Sequence, residues 1–313
     1  MEAVLINPTK QGADKFHIAT VPTPQPAAGE VLVEVKAVAL SAWEKHFAQD
    51  DDPRSLARRT RRRNVNLGLQ FSGVVRSDGR RFAPGQRVMG GPHLTKGEKA
   101  LAQYVAIREE YLAELPDILG FPEAAALPVG AETALTGLDK AAPQPGDSVL
   151  VVGASGGVGV YAVQIAAACG ADVTAIGGRN SVARLKELGA TTAHSYRGTA
   201  FGDLTGTYDC VFDLSGRLRF GQVTRKLSRT GVFVNVNPQK DLVGMAASLF
   251  SRRKAPFVYV PHSSAAAQTR VLDMVVRGEI APVVEAVHEI GRFRTAFTDL
   301  IRNERFGKIV ISY

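Results

Sequence analysis

Residues 149–159 read Val-Leu-Val-Val-Gly-Ala-Ser-Gly-Gly-Val-Gly. The β-branched apolar run predicts a strand, and a helical pattern over 160–166 follows the glycines directly. A strand, a tight turn and a helix N-terminus form an anion site, because unpaired backbone N–H groups and the helix dipole face the turn. Gly156 and Gly159 occupy two of the three glycine positions of the dinucleotide fingerprint, and Ala154 occupies the first. The stretch therefore predicts a pyrophosphate site lined by Ser155, Gly156, Gly157, Val158 and Gly159.

The next strand indicates which dinucleotide is bound. It is predicted over 172–176, and an NAD-preferring site would carry Asp or Glu at its end to hold the ribose hydroxyls. Here the sequence is Gly177-Gly178-Arg179-Asn180-Ser181, with no acid. A guanidinium can bind a phosphate with paired donors, so Arg179 and Asn180 favour NADPH. The alternative is that Arg179 is a solvated charge before a helix at 182–188.

Strands and helices alternate after this point. Strands are predicted at 192–196, 208–214 and 231–236, with helical connections between them. This alternation is typical of an α/β fold with a doubly wound parallel sheet. We place this nucleotide-binding domain at 119–279.

The first 118 residues have a different pattern. Alternating apolar residues predict strands at 31–38 and 71–75, and Pro and Gly interrupt the segments between them. The tail is strand-like again at 282–290 and 307–312. We therefore expect a separate β-rich domain over 1–118, completed by residues 280–313.

Composition limits the class of protein. A chain of 313 residues with 45% hydrophobic content can bury two domain cores. No apolar run reaches the length of a membrane span, and the N-terminus lacks the pattern of a signal peptide. Cys169 and Cys210 fit small core residues better than a disulfide. We expect a cytoplasmic protein with no membrane partner.

Several short motifs in a fixed order carry a resemblance to a known family: Gly29–Val33, Phe71–Val75, Pro84–Val88, Thr133–Leu138, the glycine turn and Phe306–Val310. The chain resembles zinc-independent medium-chain dehydrogenases/reductases of the quinone oxidoreductase group. This resemblance implies a GroES-like β domain, a Rossmann domain with NADPH in the cleft between them, and a homodimer. It also implies hydride transfer to a quinone or to the C=C bond of an α,β-unsaturated carbonyl, as in enone and enoyl reductases.

The resemblance also implies roles for single residues. Thr133 and the glycine turn would border the nicotinamide and the pyrophosphate, and Tyr196 would pack near the adenosine phosphate. Lys308 would lie beside the cofactor cleft. The alternatives are a half-buried aromatic at a strand end for Tyr196 and a solvated charge on an edge strand for Lys308. No catalytic acid or base is assigned, because the cofactor carries the hydride.

The chain departs from the family on the substrate side. Zinc-dependent relatives have Cys and His at the places of Ser41 and Leu69, so no metal is expected. Ser41-Ala42-Trp43-Glu44 and Gly68-Leu69-Gln70-Phe71 also replace the usual Asn-Pro-x-Asp and Gly-x-Asp-Phe. Ser41, Trp43 and Gln70 are therefore the substrate-pocket candidates. Trp43 would either stack on a flat substrate or anchor the core of the β domain.

An arginine-rich loop, Arg54–Arg63, holds six arginines in ten residues of a chain with net charge +8. It could attract a substrate linked to a carrier protein or to CoA, or an anionic aromatic substrate, or it could be a solvated loop. A competing hypothesis is a cofactor-binding protein without turnover that binds RNA or a protein partner through this loop. We favour the enzyme, with a small-molecule substrate and no nucleic acid.

Overall fold

The computed structural model of the chain describes residues 1–7, 9–50, 67–94, 96, 99–302 and 304–313, so the arginine-rich loop lies outside the described residues. The strands are β1 (Glu2–Ile6), β2 (Phe16–Thr20), β3 (Glu30–Ala39), β4 (Phe71–Val75), β5 (Arg87–Gly90), β6 (Tyr104–Arg108), β7 (Leu112–Glu114), β8 (Ser148–Val152), β9 (Asp172–Gly177), β10 (Thr192–Ser195), β11 (Tyr208–Asp213), β12 (Leu227–Asn235), β13 (Val284–Glu289) and β14 (Lys308–Ser312). The helices are α1 (Ala42–Gln49), α2 (Phe121–Ala125), α3 (Pro128–Ala141), α4 (Gly159–Ala168), α5 (Val182–Glu187), α6 (Phe220–Val223), α7 (Leu242–Leu249), α8 (Ala265–Val276) and α9 (Phe293–Ile301).

A five-stranded parallel sheet carries the glycine turn. Its strand order is β10-β9-β8-β11-β12, with β8 at the centre. Val149, Leu150 and Val151 of β8 are fully buried, as an uninterrupted apolar strand between two helical layers requires. The prediction of a doubly wound parallel sheet is confirmed. Among the strands, the largest difference from the predicted bounds is at β12, which begins at Leu227 and not at 231. Its first residue already pairs with Tyr208 of β11, before a register shift between Tyr208 and Cys210.

A seven-stranded sheet forms the β-rich part. Its order is β13-β14-β3-β4-β5-β7, and β6 also pairs with β3. The C-terminal strand β14 lies between β13 and β3, with Val310 opposite Ala39. The strand-like tail therefore joins the sheet built by the first part of the chain.

The two sheets share buried contacts. One hydrophobic cluster contains Met89 and Ala113 of the β-rich sheet together with Leu127, Ala131 and Val149 of the nucleotide-binding part. This packing places the end of β8 next to β14. The candidate site lies along that junction.

Candidate active site

The glycine turn connects β8 to α4, and the backbone geometry requires glycine at two of its positions, Gly153 and Gly159. Gly153 has a φ of 85°, which favours glycine. A Cβ atom on Gly159 would lie 2.3 Å from the Gly153 oxygen and 2.6 Å from the Ala154 Cα, so α4 can start close to the turn only with glycine here. A Cβ on Gly156 would meet only the Gly153 oxygen, at 3.3 Å. The positive φ thus falls on Gly153, which the fingerprint did not single out.

The turn leaves backbone donors free. Gly153 and Ala154 donate to the Ile176 carbonyl of β9 at 3.0 and 2.9 Å. Within the described residues, the amides of Gly157, Val158 and Gly159 donate to no protein group. Such amides at a helix N-terminus bind anions. The turn therefore has the donors that a pyrophosphate needs.

Lys308 lies against this turn. A Cβ on Gly157 would come within 2.8 Å of the Lys308 Cδ and Cε atoms, and a Cβ on Gly130 within 3.0 Å of Cε. Lys308 is 3% exposed, and its Nζ donates to Gln70 Oε1 at 3.1 Å. The alternative interpretation as a solvated edge-strand charge is therefore wrong, because β14 is an interior strand.

Burial governs the charge of this lysine. It lowers the pKa of Lys308 to about 7, with Glu44 opposing the shift and Arg305 adding to it. Gln70 offers a neutral amide where a carboxylate would have held the ammonium charged more firmly. Lys308 therefore changes its charge close to neutral pH.

Two substrate-pocket candidates, Ser41 and Gln70, differ in whether their polar atoms are already paired. Ser41 caps α1 in a capping box, in which Glu44 accepts from the Ser41 amide at 2.7 Å. The other Glu44 oxygen accepts from the Gly68 amide at 3.0 Å. This hydrogen bond joins Ser41–Glu44 to Gly68–Phe71, the two segments that differ from the family pattern. Gln70 is fully buried, and its Nε2 has no partner among the described residues. Ser41 is thus engaged in a helix cap, whereas Gln70 keeps a free donor beside Lys308.

Trp43 packs into the β-rich core. Its ring meets Phe47 edge-to-face, with centroids 5.2 Å apart. It also contacts the cluster that contains Val4 and Leu40. These contacts favour the core-anchor interpretation, and a substrate contact by Trp43 stays a prediction.

The predicted adenosine residues collect at the ends of β9 and β10. Arg179 and Asn180 are exposed in a short 3₁₀ turn after Gly178. Tyr196 follows β10 and is 47% exposed. The Ser155 hydroxyl accepts from the Gly178 amide at 3.2 Å, which ties the glycine turn to the end of β9. The Tyr196 amide donates to the Gly177 carbonyl at 3.0 Å, so these residues lie at one corner of the sheet, and their contact with a phosphate stays a prediction.

Sequence reasoning missed an acidic residue at this corner. A Cβ on Gly178 would lie 3.2 Å from the Glu304 Cα, and Glu304 pairs with Arg197. Glu304 lies far along the chain from β9, so no local pattern indicates its place. This corner therefore holds a paired carboxylate next to Gly178, which directly precedes the exposed Arg179.

A second missed acid lies next to Thr133 on α3. Thr133 is half-buried, and Glu132 is 3% exposed with its Oε1 accepting from the Ser264 amide at 2.8 Å. Burial raises the pKa of Glu132 to about 7, although the hydrogen bond from the Ser264 amide opposes the shift. This carboxyl fastens α3 to the segment that precedes α8.

The donor set of the site does not suit a transition metal. Ser41 offers a hydroxyl already used in a helix cap, and Leu69 offers no ligand atom. No group of three or more His, Cys, Asp or Glu side chains with metal-binding geometry occurs in the part of the chain that the structure describes.

Among the described helices, none is long and apolar enough to cross a bilayer.

Known proteins are similar to this chain in sequence and in fold. A family model described as zinc-binding dehydrogenase matches residues 188–311. The chloroplast envelope quinone oxidoreductase homolog of Arabidopsis thaliana is 28% identical, over 99% of this chain and 98% of that protein. The 2-methylene-furan-3-one reductase of Solanum lycopersicum is 32% identical, over 79% of this chain and 60% of that protein. A quinone oxidoreductase structure from Coxiella burnetii superposes with a TM-score of 0.88 over 100% of this chain and 99% of that one, at 24% identity, and shows the fold alone.

The parallel sheet, its glycine turn and the β-rich partner sheet define an oxidoreductase that uses a nicotinamide cofactor. Within that class, the chain is similar over nearly its whole length to the quinone oxidoreductase group of the medium-chain dehydrogenase/reductase superfamily. The resemblance identified from the sequence motifs is confirmed.

Proposed function

We propose that the chain is an NADPH-dependent reductase that delivers a hydride to a quinone or to the C=C bond of an α,β-unsaturated carbonyl, without a metal ion. The observation that carries the proposal is the glycine turn, with its unpaired amides and with Lys308 packed against it. The names of the relatives above, a quinone oxidoreductase homolog and a furanone reductase, support this substrate class.

The residues present fit a dinucleotide. The amides of Gly157, Val158 and Gly159 and the Lys308 ammonium would hold the pyrophosphate. Arg179, Asn180 and Tyr196 would surround the adenosine phosphate, and Thr133 would border the nicotinamide. NADPH, when bound, supplies the hydride.

The chain's own groups provide binding and electrostatics. Lys308 in its charged form would offset the pyrophosphate charge, and the burial of this side chain strengthens that attraction. The free Gln70 Nε2 is a donor for a polar oxygen entering beside Lys308. Since neither Ser41 nor Leu69 supplies a metal ligand, substrate polarisation rests on such donors and on positioning. The homodimer, the cytoplasmic location and a carrier- or CoA-linked substrate stay predictions.

A turnover assay tests the reaction. We expect the protein to oxidise NADPH in the presence of at least some members of a panel of quinones and enones, and to retain this activity after dialysis against a chelator. No oxidation with any member of the panel would overturn the reductase proposal. Loss of activity on chelation, restored by zinc, would overturn only its metal independence.

Cofactor choice is tested by substitution at the adenosine end. Arg179→Ala should weaken NADPH by about 1.5–3 kcal/mol and NADH much less, because a charge-assisted contact to the phosphate is lost. Arg108→Ala is the matched control, since Arg108 lies on β6 and pairs with Glu110. Equal weakening of NADPH and NADH binding by Arg179→Ala would remove this residue from the phosphate site.

Glu304→Gln should strengthen the binding of NADPH relative to that of NADH, because the carboxylate opposes a phosphate there.

A further inference from the structure

Two charged residues at the corner formed by the ends of β9 and β10 are paired with each other. Arg197 follows β10, and its Nε atom donates to the Glu304 carboxylate. The Arg197 side chain is 52% exposed, whereas the Glu304 side chain is 17% exposed. Glu304, and to a lesser extent the Tyr196 hydroxyl, raise the pKa of the Arg197 guanidinium. An ion pair therefore stands at the corner where the adenosine phosphate is predicted to bind.

The pairing of β9 with β10 brings Arg197 to the edge of the sheet that carries Arg179. Ser195, the last residue of β10, lies opposite Gly177, the last residue of β9, in a parallel register. The Ser195 carbonyl accepts from the amides of residues 198 and 199, both at 3.0 Å, and this turn holds Arg197 in place. Arg197 is thus the second arginine to follow these two strand ends directly.

The C-terminal segment fixes Glu304 against the end of β9. Glu304 has a φ of 69°, in the left-handed region that residues other than glycine rarely adopt. A Cβ on Gly178 would lie 3.2 Å from both the Cα and the Cβ of Glu304 and 3.4 Å from its Cγ. The Glu304 stem therefore fills the space that a side chain at position 178 would take. An unusual backbone conformation that the surroundings maintain is typical of functional positions.

We propose that the Glu304 carboxylate competes with the adenosine 2′-phosphate of NADPH for Arg197, so that this pair sets the affinity for NADPH relative to NADH. The inference rests on the proposed function, because it requires a dinucleotide on the glycine turn. Without NADPH, Glu304 holds the guanidinium. With NADPH, the guanidinium turns to the 2′-phosphate. NADH has a hydroxyl group at this position and leaves the ion pair intact.

Charge and exposure favour this exchange of partners. A phosphate carries more negative charge than a carboxylate and offers more acceptor oxygens to the paired donors of a guanidinium. An exposed ion pair contributes little to stability, because water screens it, so breaking the pair with Glu304 costs little. The half-exposed Arg197 side chain can also turn without losing core packing.

The alternative is a purely structural tie between the C-terminal segment and the end of β10. In that case Arg197 never contacts the cofactor and only neutralises the Glu304 charge. The two interpretations predict opposite results when both residues are changed. If Arg197 binds the phosphate, its loss costs more once Glu304 no longer competes. If Arg197 only neutralises Glu304, its loss costs nothing once Glu304 is gone.

A double-mutant cycle on the full chain tests the proposal, with the dissociation constants of NADPH and NADH measured by calorimetric titration. Glu304→Gln should strengthen NADPH binding about threefold, because the competitor is removed. Arg197→Gln should weaken NADPH binding about fivefold in the unaltered chain and about fifteenfold in the Glu304→Gln chain. No variant should change NADH binding more than about twofold, because NADH has no phosphate here.

The ion pair of Arg277 and Glu279 is the matched control. It is also exposed, and it borders a surface cleft with Cys169, which ends α4, whereas the glycine turn precedes α4. Arg277→Gln and Glu279→Gln should leave both dissociation constants unchanged. An equal loss of NADPH affinity in Arg277→Gln and Arg197→Gln would overturn the proposal, because the effect would then be one of net charge. All variants should keep the far-UV circular dichroism of the unaltered chain.

Other outcomes would also overturn the proposal. An NADPH penalty of Arg197→Gln that disappears in the Glu304→Gln chain would assign the pair to the structural tie. Weaker NADH binding in Glu304→Gln would assign the carboxylate to the ribose hydroxyls. NADPH binding that is unaffected by Arg197→Gln would overturn this inference and leave the proposed function in place. If the unaltered chain bound neither cofactor, the proposed function would fall and the inference with it.

Discussion

At the residue scale, Lys308 combines a buried ammonium with a pKa near neutral. Its stem fills the space that the missing side chains of Gly157 and Gly130 leave, and its Nζ reaches Gln70. A lysine this deeply buried opposes folding in its charged form. This burial lowers the free energy of unfolding, and it places a positive charge against the turn that would hold a pyrophosphate.

The burial of Lys308 predicts a pH-dependent free energy of unfolding. Below about pH 7 the folded and the unfolded chain both carry the proton, so the full cost of burial is present. Between pH 7 and the ordinary lysine value of 10.5 the folded chain releases the proton first, and the free energy of unfolding rises with pH. Lys308→Met should therefore stabilise the chain at pH 6 by about 2 kcal/mol, and this gain should shrink toward pH 10.

Urea unfolding at pH 6 and pH 10 checks this prediction. Lys186→Met, an exposed position on α5, is the control and should change the free energy of unfolding equally at both pH values. A gain from Lys308→Met that is the same at pH 6 and pH 10 would mean that the folded chain keeps the proton throughout.

At the scale of elements, the β8–turn–α4 unit predicts different outcomes for two of its glycines. Gly159→Ala places a methyl group against backbone atoms, so it should lower the free energy of unfolding by about 3 kcal/mol. Gly156→Val should keep the fold, because its first carbon meets one oxygen at 3.3 Å, yet it should abolish NADPH binding by filling the space of the pyrophosphate. Thermal unfolding and NADPH titration separate the two effects.

Gly198→Ala is the control for both variants, since nothing lies within 4 Å of its added carbon. It should leave the melting temperature and the NADPH dissociation constant unchanged. An unchanged dissociation constant in Gly156→Val would mean that the turn is only structural.

Local elements could be predicted from the sequence, and their long-range neighbours could not. The strand at 71–75 and the start of α5 at Val182 are as predicted, because hydrophobic periodicity and the positions of glycine are local features of the sequence. The capping box of Ser41 and Glu44 also had a local signal, a Ser followed three residues later by Glu. Glu304 beside Gly178 had none. That contact depends on how the C-terminal segment returns across the molecule.

At the scale of the whole molecule, the C-terminal segment connects the β-rich part to the nucleotide-binding part. β14 inserts between β13 and β3, and the residues just before it, Phe306 and Gly307, contact the nucleotide-binding part. The Gly307 amide donates to the Ser155 carbonyl at 3.0 Å. With one hydrophobic cluster common to both sheets, neither part can lose its packing without exposing apolar surface of the other.

This shared core predicts one cooperative unfolding transition. Trp43, the only tryptophan, reports on the β-rich part, whereas far-UV circular dichroism is dominated by helices of the nucleotide-binding part. The two signals should give the same urea midpoint and the same m-value, as a two-state transition requires. Ile311→Ala, at a fully buried position of β14, should shift both midpoints together by about 3 kcal/mol in free energy, while Ile118→Ala should shift neither. A tryptophan midpoint that falls while the dichroism midpoint stays in place would show that the two parts unfold independently.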